Sequence, residues 1–239
     1  MEAFVFAAEL HGDKLPQRIL DVGCGLGFMT KSLSNLGQEV VGIDVSEAAI
    51  SLAKREHNGV DFYTESVESF SKKMEDLRIK IFDQAIFNMV FHSVNDNSVL
   101  DILNGIRKCI KPEGTILALV PTEEWLVYKL IDYAQDIGMD KEPGIAWVKK
   151  MLGGRQVKLP VKINSGKYYP KPLTIYRRSI DEYENLLKAC NFGVRWDTHD
   201  GITGERTHSQ ILPSLDMFDY VANRALQDRK RILLMSFAL

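Results

Sequence analysis

The distribution of apolar residues predicts alternating strands and helices in the first half of the chain. Residues 19–22 form a short apolar run of the kind found in buried strands, and residues 40–43 form a second one. Between them, residues 29–36 carry apolar side chains at helical spacing. Gly37 follows at a place where a helix end favours a residue that tolerates positive φ. The pattern predicts a strand, a helix and a second strand.

The same alternation continues to the C-terminal end. Ser46 and Ser179 are typical N-caps, each placed before a further helix. An antiparallel hairpin is predicted where apolar and polar residues alternate, at residues 157–163 and 173–176. The remaining predicted strands are residues 60–63, 82–87, 115–120, 194–198 and 232–237, and the remaining predicted helices are residues 2–10, 99–110 and 122–138.

Three glycines separate the first strand from its helix, and acidic residues stand near them. Asp21 precedes Gly23, Gly25 and Gly27, and Asp44 ends the second strand. Glycine lets the backbone turn sharply and leaves room for a ligand against the main chain. N–H groups at the start of a helix favour a negatively charged group, and a carboxylate at a strand end can accept hydrogen bonds from both hydroxyls of a ribose. The pattern therefore favours a nucleoside ligand.

The spacing of these glycines separates two classes of nucleotide site. Dinucleotide sites use G-x-G-x-x-G, whereas here the third glycine comes two places after the second. The order D-x-G-x-G-x-G resembles motif I of the class I S-adenosylmethionine-dependent methyltransferases, and Asp44 matches their ribose-binding acid. Phe82-Asp83 is similar to the start of that family's fourth strand, and residues 110–116 resemble its L-K-P-G-G-x-L pattern.

The resemblance implies an α/β fold with a seven-stranded, mostly parallel Rossmann-like sheet, helices on both faces and an antiparallel last strand. A lid and hairpin are expected as an insertion between strands 5 and 6, at residues 122–178. The chain has 239 residues and 45% hydrophobic content, which is enough for a single domain with a sizeable core over residues 1–239.

The resemblance also implies that the cofactor is S-adenosyl-L-methionine and the product S-adenosyl-L-homocysteine. Glu65 matches an acid that precedes the residues facing the adenine ring, and the backbone N–H groups of Ser66 and Val67 would meet ring nitrogens. A solvated strand end is the alternative, since Glu68 is also nearby. The residues expected to bind the cofactor are Asp21, Gly23, Cys24, Gly25, Gly27, Met29, Asp44, Val45, Glu65, Ser66, Val67, Asn88 and Met89.

The end of the fourth strand, residues 88–92, distinguishes substrate classes. Enzymes that methylate exocyclic amines of nucleic-acid bases carry [N/D]-P-P-[F/Y/W] there, and this chain lacks both prolines, so a flipped-base mechanism is not supported. The segment resembles the small-molecule branch of the family. His92 is the candidate general base, because it follows the strand end and histidine titrates near neutrality. A histidine that caps the next helix or lies under the cofactor is the alternative.

The inserted segment is rich in basic residues. Nine basic residues and no acidic one lie between Lys149 and Arg178. One interpretation is a basic lid that attracts an acidic methyl acceptor, and the other is a solvated edge strand whose lysines prevent aggregation. The substrate-binding candidates are His92, Trp125, Tyr128, Tyr169, Arg177 and Arg178.

Composition limits the partners of the chain. A net charge of −2 and a pI near 6.2 give no global attraction to nucleic acid or membrane. No apolar stretch is long enough to span a bilayer, and the N-terminus is not typical of a secretory signal. The three cysteines show no paired spacing and no metal-binding spacing, so no metal is expected. We expect a cytoplasmic protein whose partner is a small-molecule methyl acceptor, and the oligomeric state is open.

The leading hypothesis is an enzyme that transfers a methyl group from S-adenosylmethionine to an O, N or C atom of a small organic molecule, anionic acceptors included. Two alternatives stay open. One is an NAD-dependent oxidoreductase, against which the glycine spacing argues. The other is a non-catalytic S-adenosylmethionine-binding partner subunit, against which the intact glycine motif and Asp44 argue.

Overall fold

The computed structural model describes residues 16–76, 79, 81–121, 123–161, 168, 170–200, 206–207 and 232–238. The helix predicted at residues 2–10 lies outside the described residues, as do Tyr169 and the side chain of Tyr128.

Ten strands and seven α-helices are formed by the described residues. The strands are β1 (Arg18–Val22), β2 (Glu39–Asp44), β3 (Asp61–Thr64), β4 (Phe82–Asn88), β5 (Ile110–Pro121), β6 (Gln156–Leu159), β7 (Leu173–Tyr176), β8 (Val194–Asp200), β9 (Arg206–Thr207) and β10 (Ile232–Ala238). The helices are α1 (Phe28–Asn35), α2 (Glu47–Glu56), α3 (Val67–Asp76), α4 (Asp96–Ile106), α5 (Glu123–Asp136), α6 (Lys141–Met151) and α7 (Ile180–Ala189), and a turn of 3₁₀ helix spans Phe91–Ser93.

The main sheet has the strand order β3-β2-β1-β4-β5-β10-β8-β9. Strands β1 to β5 run parallel to one another. Strand β10 pairs antiparallel with β5 and with β8, and the two-residue strand β9 pairs antiparallel with β8. The α/β fold with a parallel sheet and the antiparallel last strand are confirmed. The predicted count of seven strands is wrong, because β9 adds an eighth strand to this sheet.

Helices cover both faces of the parallel strands. Leu20 of β1 packs in a cluster that includes Phe70 of α3 and Leu103 of α4. The preceding residue, Ile19, packs in a second cluster with Leu33 of α1. Successive side chains of a strand point to opposite faces, so α1 and the pair α3 and α4 lie on opposite sides of the sheet. Burial of each such leucine stabilises the fold by about 1.5–3 kcal/mol.

The segment between β5 and α7 has an apolar core of its own. It contains α5, α6 and the antiparallel hairpin β6–β7, and the hairpin confirms the prediction from alternating residues. Leu130, Val148, Val157 and Ile175 are buried together in this segment. Helix α6 was not predicted, because its sequence contains a proline and a glycine near its start. Proline is tolerated in the first turn of a helix, where its missing N–H has no intrahelical partner.

Two helices begin at the residues that the sequence predicts as their N-caps. Ser46 accepts a hydrogen bond from Ala49 N, and Ser179 forms a capping box with Glu182, so both predicted N-caps are confirmed. The buried side chains of α2 are Ile50 and Ala53.

Residues 112–114, part of the segment that resembles the L-K-P-G-G-x-L pattern, lie inside β5. Phe82 of β4 pairs with Ile110 of β5, but Gln84 pairs with Thr115, so extra residues of β5 bulge out between the two pairs. Lys111 in this bulge forms an ion pair with Asp83. The bulge lies at the opposite end of β4 from Asn88 and the 3₁₀ turn.

Candidate active site

The loop after β1 is bound to the neighbouring strand by its own backbone. Gly23 N and Cys24 N both donate to Ile43 O, at 2.8 and 3.0 Å. Gly23, Gly25 and Gly27 have φ values of 68°, 54° and 77°, a region that other residues adopt at a cost of about 1–2 kcal/mol. All three predicted glycines therefore occupy positions that require glycine on backbone grounds.

The three glycines differ in what surrounds them. A Cβ atom at Gly23 would lie 2.6 Å from Val90 Cγ2, and one at Gly27 would lie 2.6 Å from Phe62 Cζ. At Gly25, no heavy atom of the described residues comes within 4 Å of such a Cβ. Gly23 and Gly27 therefore serve close packing, whereas the space in front of Gly25 is open to a ligand.

Asp44 holds this loop and keeps capacity for a ligand. Its Oδ2 accepts from Gly25 N at 2.9 Å, and its Oδ1 accepts from Ser46 N at 2.8 Å. A carboxylate offers about four acceptor positions, so each oxygen can accept a further hydrogen bond. The next side chain, Val45, is 75% exposed, which is unusual for valine and leaves an apolar surface beside the carboxylate.

Asp21 lies behind the loop and is 1% exposed. It accepts a 2.6 Å hydrogen bond from Thr30 Oγ1 in α1. Burial raises the pKa of Asp21 to about 6, the hydrogen bond from Thr30 opposes this rise, and the negative charge of Asp44 adds to it. The side chain therefore supports the start of α1 from inside the protein, and its predicted contact with the cofactor stays a prediction.

The raised pKa of Asp21 predicts a specific pH dependence of stability. Because the folded-state pKa is above the unfolded value of 3.8, Asp21 contributes stability at low pH that is lost as the pH rises through about 6. Asp21→Asn keeps an acceptor for Thr30 but cannot ionise. Relative to the wild type, the variant should gain about 1.4 kcal/mol of unfolding free energy between about pH 5 and pH 8. Urea denaturation at both pH values measures this, with the exposed Asp101→Asn as control; parallel pH profiles for wild type and Asp21→Asn would contradict it.

Cys24 and Met29 both face the core beneath the loop. Cys24 packs against the cluster of Ile50, Ala53 and Phe62, and burial raises the pKa of its thiol far above the usual range. Met29 packs against the cluster that contains Leu33. Their predicted cofactor contacts stay predictions.

The residues after β3 are engaged in the N-cap of α3. Glu65 accepts hydrogen bonds from Lys73 Nζ at 2.6 Å and from Ser69 Oγ at 2.5 Å, and these partners hold the pKa of Glu65 below its usual value. Ser66 N, predicted to meet an adenine nitrogen, donates to Ser69 Oγ at 3.0 Å instead. The Val67 side chain is buried in the main core cluster. The predicted contacts of Glu65 and Val67 with an adenine ring stay predictions.

The end of β4 carries strain and an unsatisfied polar atom. Met89 has φ 59°, although it is not glycine, and Met89 N donates to Leu119 O at 2.9 Å. Asn88 Oδ1 is buried and has no hydrogen-bond partner among the described residues. Strained backbone and unsatisfied buried atoms cluster at functional sites.

His92 follows in the 3₁₀ turn and is 4% exposed. Burial, and then the positive charge of Arg178, lower the pKa of His92 to about 4. The expectation that it titrates near neutrality is therefore wrong, because the imidazole is neutral at pH 7. Its Nδ1 is buried without a hydrogen-bond partner in the described part of the chain, and its Nε2 lies 3.4 Å from Ser93 Oγ.

Residues 20–118 match the family model of the methyltransferase domain. This segment is a class I methyltransferase domain. It contains the glycine loop, Asp44, the end of β4 and His92, so the family predicted from the sequence is confirmed over the part of the chain that forms the site.

Relatives of the methyltransferase domain differ in how much of the chain they cover. Over 120 residues the chain is 28% identical to the ubiquinone biosynthesis O-methyltransferase of Bradyrhizobium diazoefficiens. The aligned segment covers 47% of this chain and 43% of that protein. The chain thus spans less than half the length of this relative. Over 199 residues this chain is 27% identical to the putative methyltransferase YqeM of Bacillus subtilis. The aligned segment covers 77% of this chain and 76% of that protein.

A solved structure extends the likeness in fold to nearly the whole chain. A SAM-dependent methyltransferase from Methanosarcina mazei superposes with a TM-score of 0.57 at 18% identity, covering 96% of this chain and 95% of that one. At this identity the likeness concerns the fold alone.

Three of the substrate candidates outside the methyltransferase domain have protein partners within the described residues. Trp125 packs against the core of the insertion, with Lys129 Nζ 5.9 Å from its ring centre. Arg177 Nη1 donates to the carbonyls of Leu152 and Gly154. Arg178 is 5% exposed, so its predicted contact with a substrate is corrected: its guanidinium binds inside the protein.

Three contributors to the site were missed by sequence reasoning. Thr30 supports Asp21, while Asp96 and Arg155 form ion pairs beside the His92 turn. Asp96 lies 59 positions from Arg155 and 82 from Arg178, so no local spacing could reveal these two ion pairs. No group of three or more His, Cys, Asp or Glu side chains in the described part of the chain is placed to bind a metal ion. None of the described helices combines the length and apolarity that crossing a membrane requires.

Proposed function

We propose that this chain transfers a methyl group from S-adenosylmethionine to an O, N or C atom of a small organic molecule. The observation that carries the proposal is the open space in front of Gly25 beside the Asp44 carboxylate, within a methyltransferase domain. The loop binds a nucleoside that has ribose hydroxyls for Asp44 and an apolar face for Val45.

The residues present fit this cofactor. Asp44 has acceptor positions left for the ribose, Val45 offers an exposed apolar side chain to a flat ring, and Asn88 Oδ1 is a buried acceptor that a ligand donor would satisfy. When bound, S-adenosylmethionine supplies a methyl group already activated by its sulfonium charge.

The work left to the protein is mainly positioning. Holding the acceptor atom in line with the methyl group supplies effective molarities of roughly 10⁵–10⁸ M. A general base adds roughly 10²–10⁴-fold, and it works best when its pKa is near the working pH. With a pKa of about 4, His92 is a weak base, so we assign it the role of orienting the acceptor by a hydrogen bond at Nδ1.

An acceptor oxygen is the first atom to test. The relative from Bradyrhizobium diazoefficiens is named as an O-methyltransferase, although its likeness covers 47% of this chain. The hypothesis of an anionic acceptor depended mainly on Arg177 and Arg178. Both side chains bind groups of the protein itself, so they do not support that hypothesis. The insertion at residues 122–178 lies outside the matched domain, and we propose that it forms the lid over the acceptor within a single domain of residues 1–239.

The state of the cysteines supports a proposal for the cellular location. Cys24, Cys109 and Cys190 are all free thiols, which is the usual state in a reducing compartment. We propose the cytoplasm as the place of action.

Isothermal calorimetry with S-adenosylhomocysteine and with NAD tests the cofactor. We expect binding of S-adenosylhomocysteine and none of NAD; binding of NAD alone would overturn the proposal in favour of an oxidoreductase. Catalysis is tested separately with methyl-labelled S-adenosylmethionine and a deproteinised cell extract. Label in a small molecule other than S-adenosylmethionine itself supports transfer, whereas intact S-adenosylhomocysteine binding without any such labelled product would indicate a non-catalytic subunit.

A further inference from the structure

Arg178 makes three directed hydrogen bonds around the turn that carries His92. Its Nε donates to Asp96 Oδ1 at 2.7 Å, its Nη1 to Phe91 O at 2.7 Å and its Nη2 to Val94 O at 2.6 Å. The two carbonyls stand on either side of His92. A guanidinium presents its donors in a rigid fork, so it fixes the distance between these carbonyls as a lysine cannot.

The same arginine is held in place by its surroundings. The rings of Tyr176 and Tyr183 have their centres 5.8 and 5.5 Å from its guanidinium carbon. The charged group is desolvated and paired, with Asp96 as its ion-pair partner. Burying a guanidinium costs free energy, and its partner Asp96 has a side chain that is 45% exposed, so stability alone does not account for this arrangement.

Asp96, at the start of α4, forms ion pairs with the two arginines that flank the hairpin β6–β7. Its Oδ2 accepts from Arg155 Nη2 at 2.8 Å, and its Oδ1 accepts from Arg178. Arg155 immediately precedes β6, and Arg178 follows β7. Arg155 also forms an ion pair with Glu182 in α7. Burial alone would raise the pKa of Asp96, but the two arginines hold it below the usual value, so Asp96 is ionised at neutral pH.

We propose that Arg178 and Asp96 are positioning residues that hold the insertion and the His92 turn in one fixed arrangement. The proposal rests on the proposed function, since it places His92 relative to the methyl acceptor bound under the insertion. A displacement of a catalytic group by about 1 Å costs up to roughly 100-fold in rate. Asp44 and Gly25 form none of the hydrogen bonds described for this cluster, so the cofactor loop is held independently of it.

The test compares Arg178→Lys with Arg177→Lys in the full chain. Arg177 is the adjacent arginine, but its Nη1 binds the carbonyls of Leu152 and Gly154 instead of those around His92. Nitrogen-15 spectra of the histidine rings report the environment of His92, whose signal is assigned by its loss in His92→Gln. We expect Arg178→Lys to shift the His92 ring signals and Arg177→Lys to leave them unchanged.

Asp96→Asn provides a second variant in case Arg178→Lys fails to fold. It keeps the shape of the side chain and removes the charge that both arginines share, so the His92 signals should shift here as well. In both variants the dissociation constant of S-adenosylhomocysteine should stay within about twofold of the wild-type value, because the cofactor loop is untouched.

Unshifted His92 signals in a folded Arg178→Lys or Asp96→Asn protein would overturn the proposal, and so would an equal shift in Arg177→Lys. Failure of the wild type to bind S-adenosylhomocysteine would instead count against the proposed function. The ring spectra of the free protein would still decide whether Arg178 and Asp96 position His92.

Discussion

Replacing Asp44 with alanine should weaken the binding of S-adenosylhomocysteine by at least about tenfold, and by as much as about 100-fold. The side chain accepts hydrogen bonds from Gly25 N and Ser46 N, and it has acceptor positions left for a ribose. A hydrogen bond to a charged group contributes about 1.5–3 kcal/mol, and about 1.4 kcal/mol already corresponds to a tenfold change in affinity. Loss of a single such bond is therefore enough for the lower figure.

Isothermal calorimetry measures this effect, and two further variants separate its causes. Asp44→Asn keeps an acceptor oxygen for Gly25 N and should lose less affinity than Asp44→Ala. Asp101→Ala removes an exposed carboxylate from α4 and should leave the affinity unchanged. An Asp44→Ala protein that binds S-adenosylhomocysteine like the wild type would mean that the ribose is held elsewhere.

Replacing Gly27 with alanine should lower the free energy of unfolding by about 2–5 kcal/mol. The left-handed backbone at this position, φ 77°, costs a non-glycine residue about 1–2 kcal/mol. The new Cβ would also lie 2.6 Å from Cζ of the buried Phe62 ring, and overpacking of this kind costs about 1–3 kcal/mol. Urea denaturation of the free protein measures the loss, and the additional change Phe62→Leu should recover part of it.

Gly25→Ala is the matched control for Gly27→Ala. Its backbone is also left-handed, at φ 54°, but the added Cβ would meet no heavy atom of the described residues within 4 Å. We expect only the backbone cost of about 1–2 kcal/mol in stability, together with weaker binding of S-adenosylhomocysteine, because the methyl group enters the ligand space. Equal losses of stability in the two variants would contradict the packing argument.

Features that depend on neighbouring residues could be predicted from the sequence. The caps at Ser46 and Ser179 follow from side-chain chemistry next to an apolar period, and the hairpin β6–β7 follows from alternation. The position of Asp44 beside Gly25 follows from the rule that adjacent parallel strands end at the same edge of a sheet.

The features that escaped prediction depend on contacts between distant residues. Arg178 binds Asp96 and Phe91, which lie 82 and 87 positions away, and no spacing in the sequence encodes that pairing. Burial, and then the positive charge of Arg178, lower the pKa of His92 to about 4. The sequence therefore predicted the position of His92 just after β4, whereas its protonation state depended on the fold around it.

Because the insertion buries its own leucine, valine and isoleucine side chains, its surface can change without disturbing the parallel strands. Under the proposed role of this segment as the lid over the acceptor, mutations that alter which molecule is methylated can accumulate there while the part that holds the cofactor keeps its sequence. With separate cores for the two segments, a change of acceptor during evolution need not destabilise the fold of the parallel sheet.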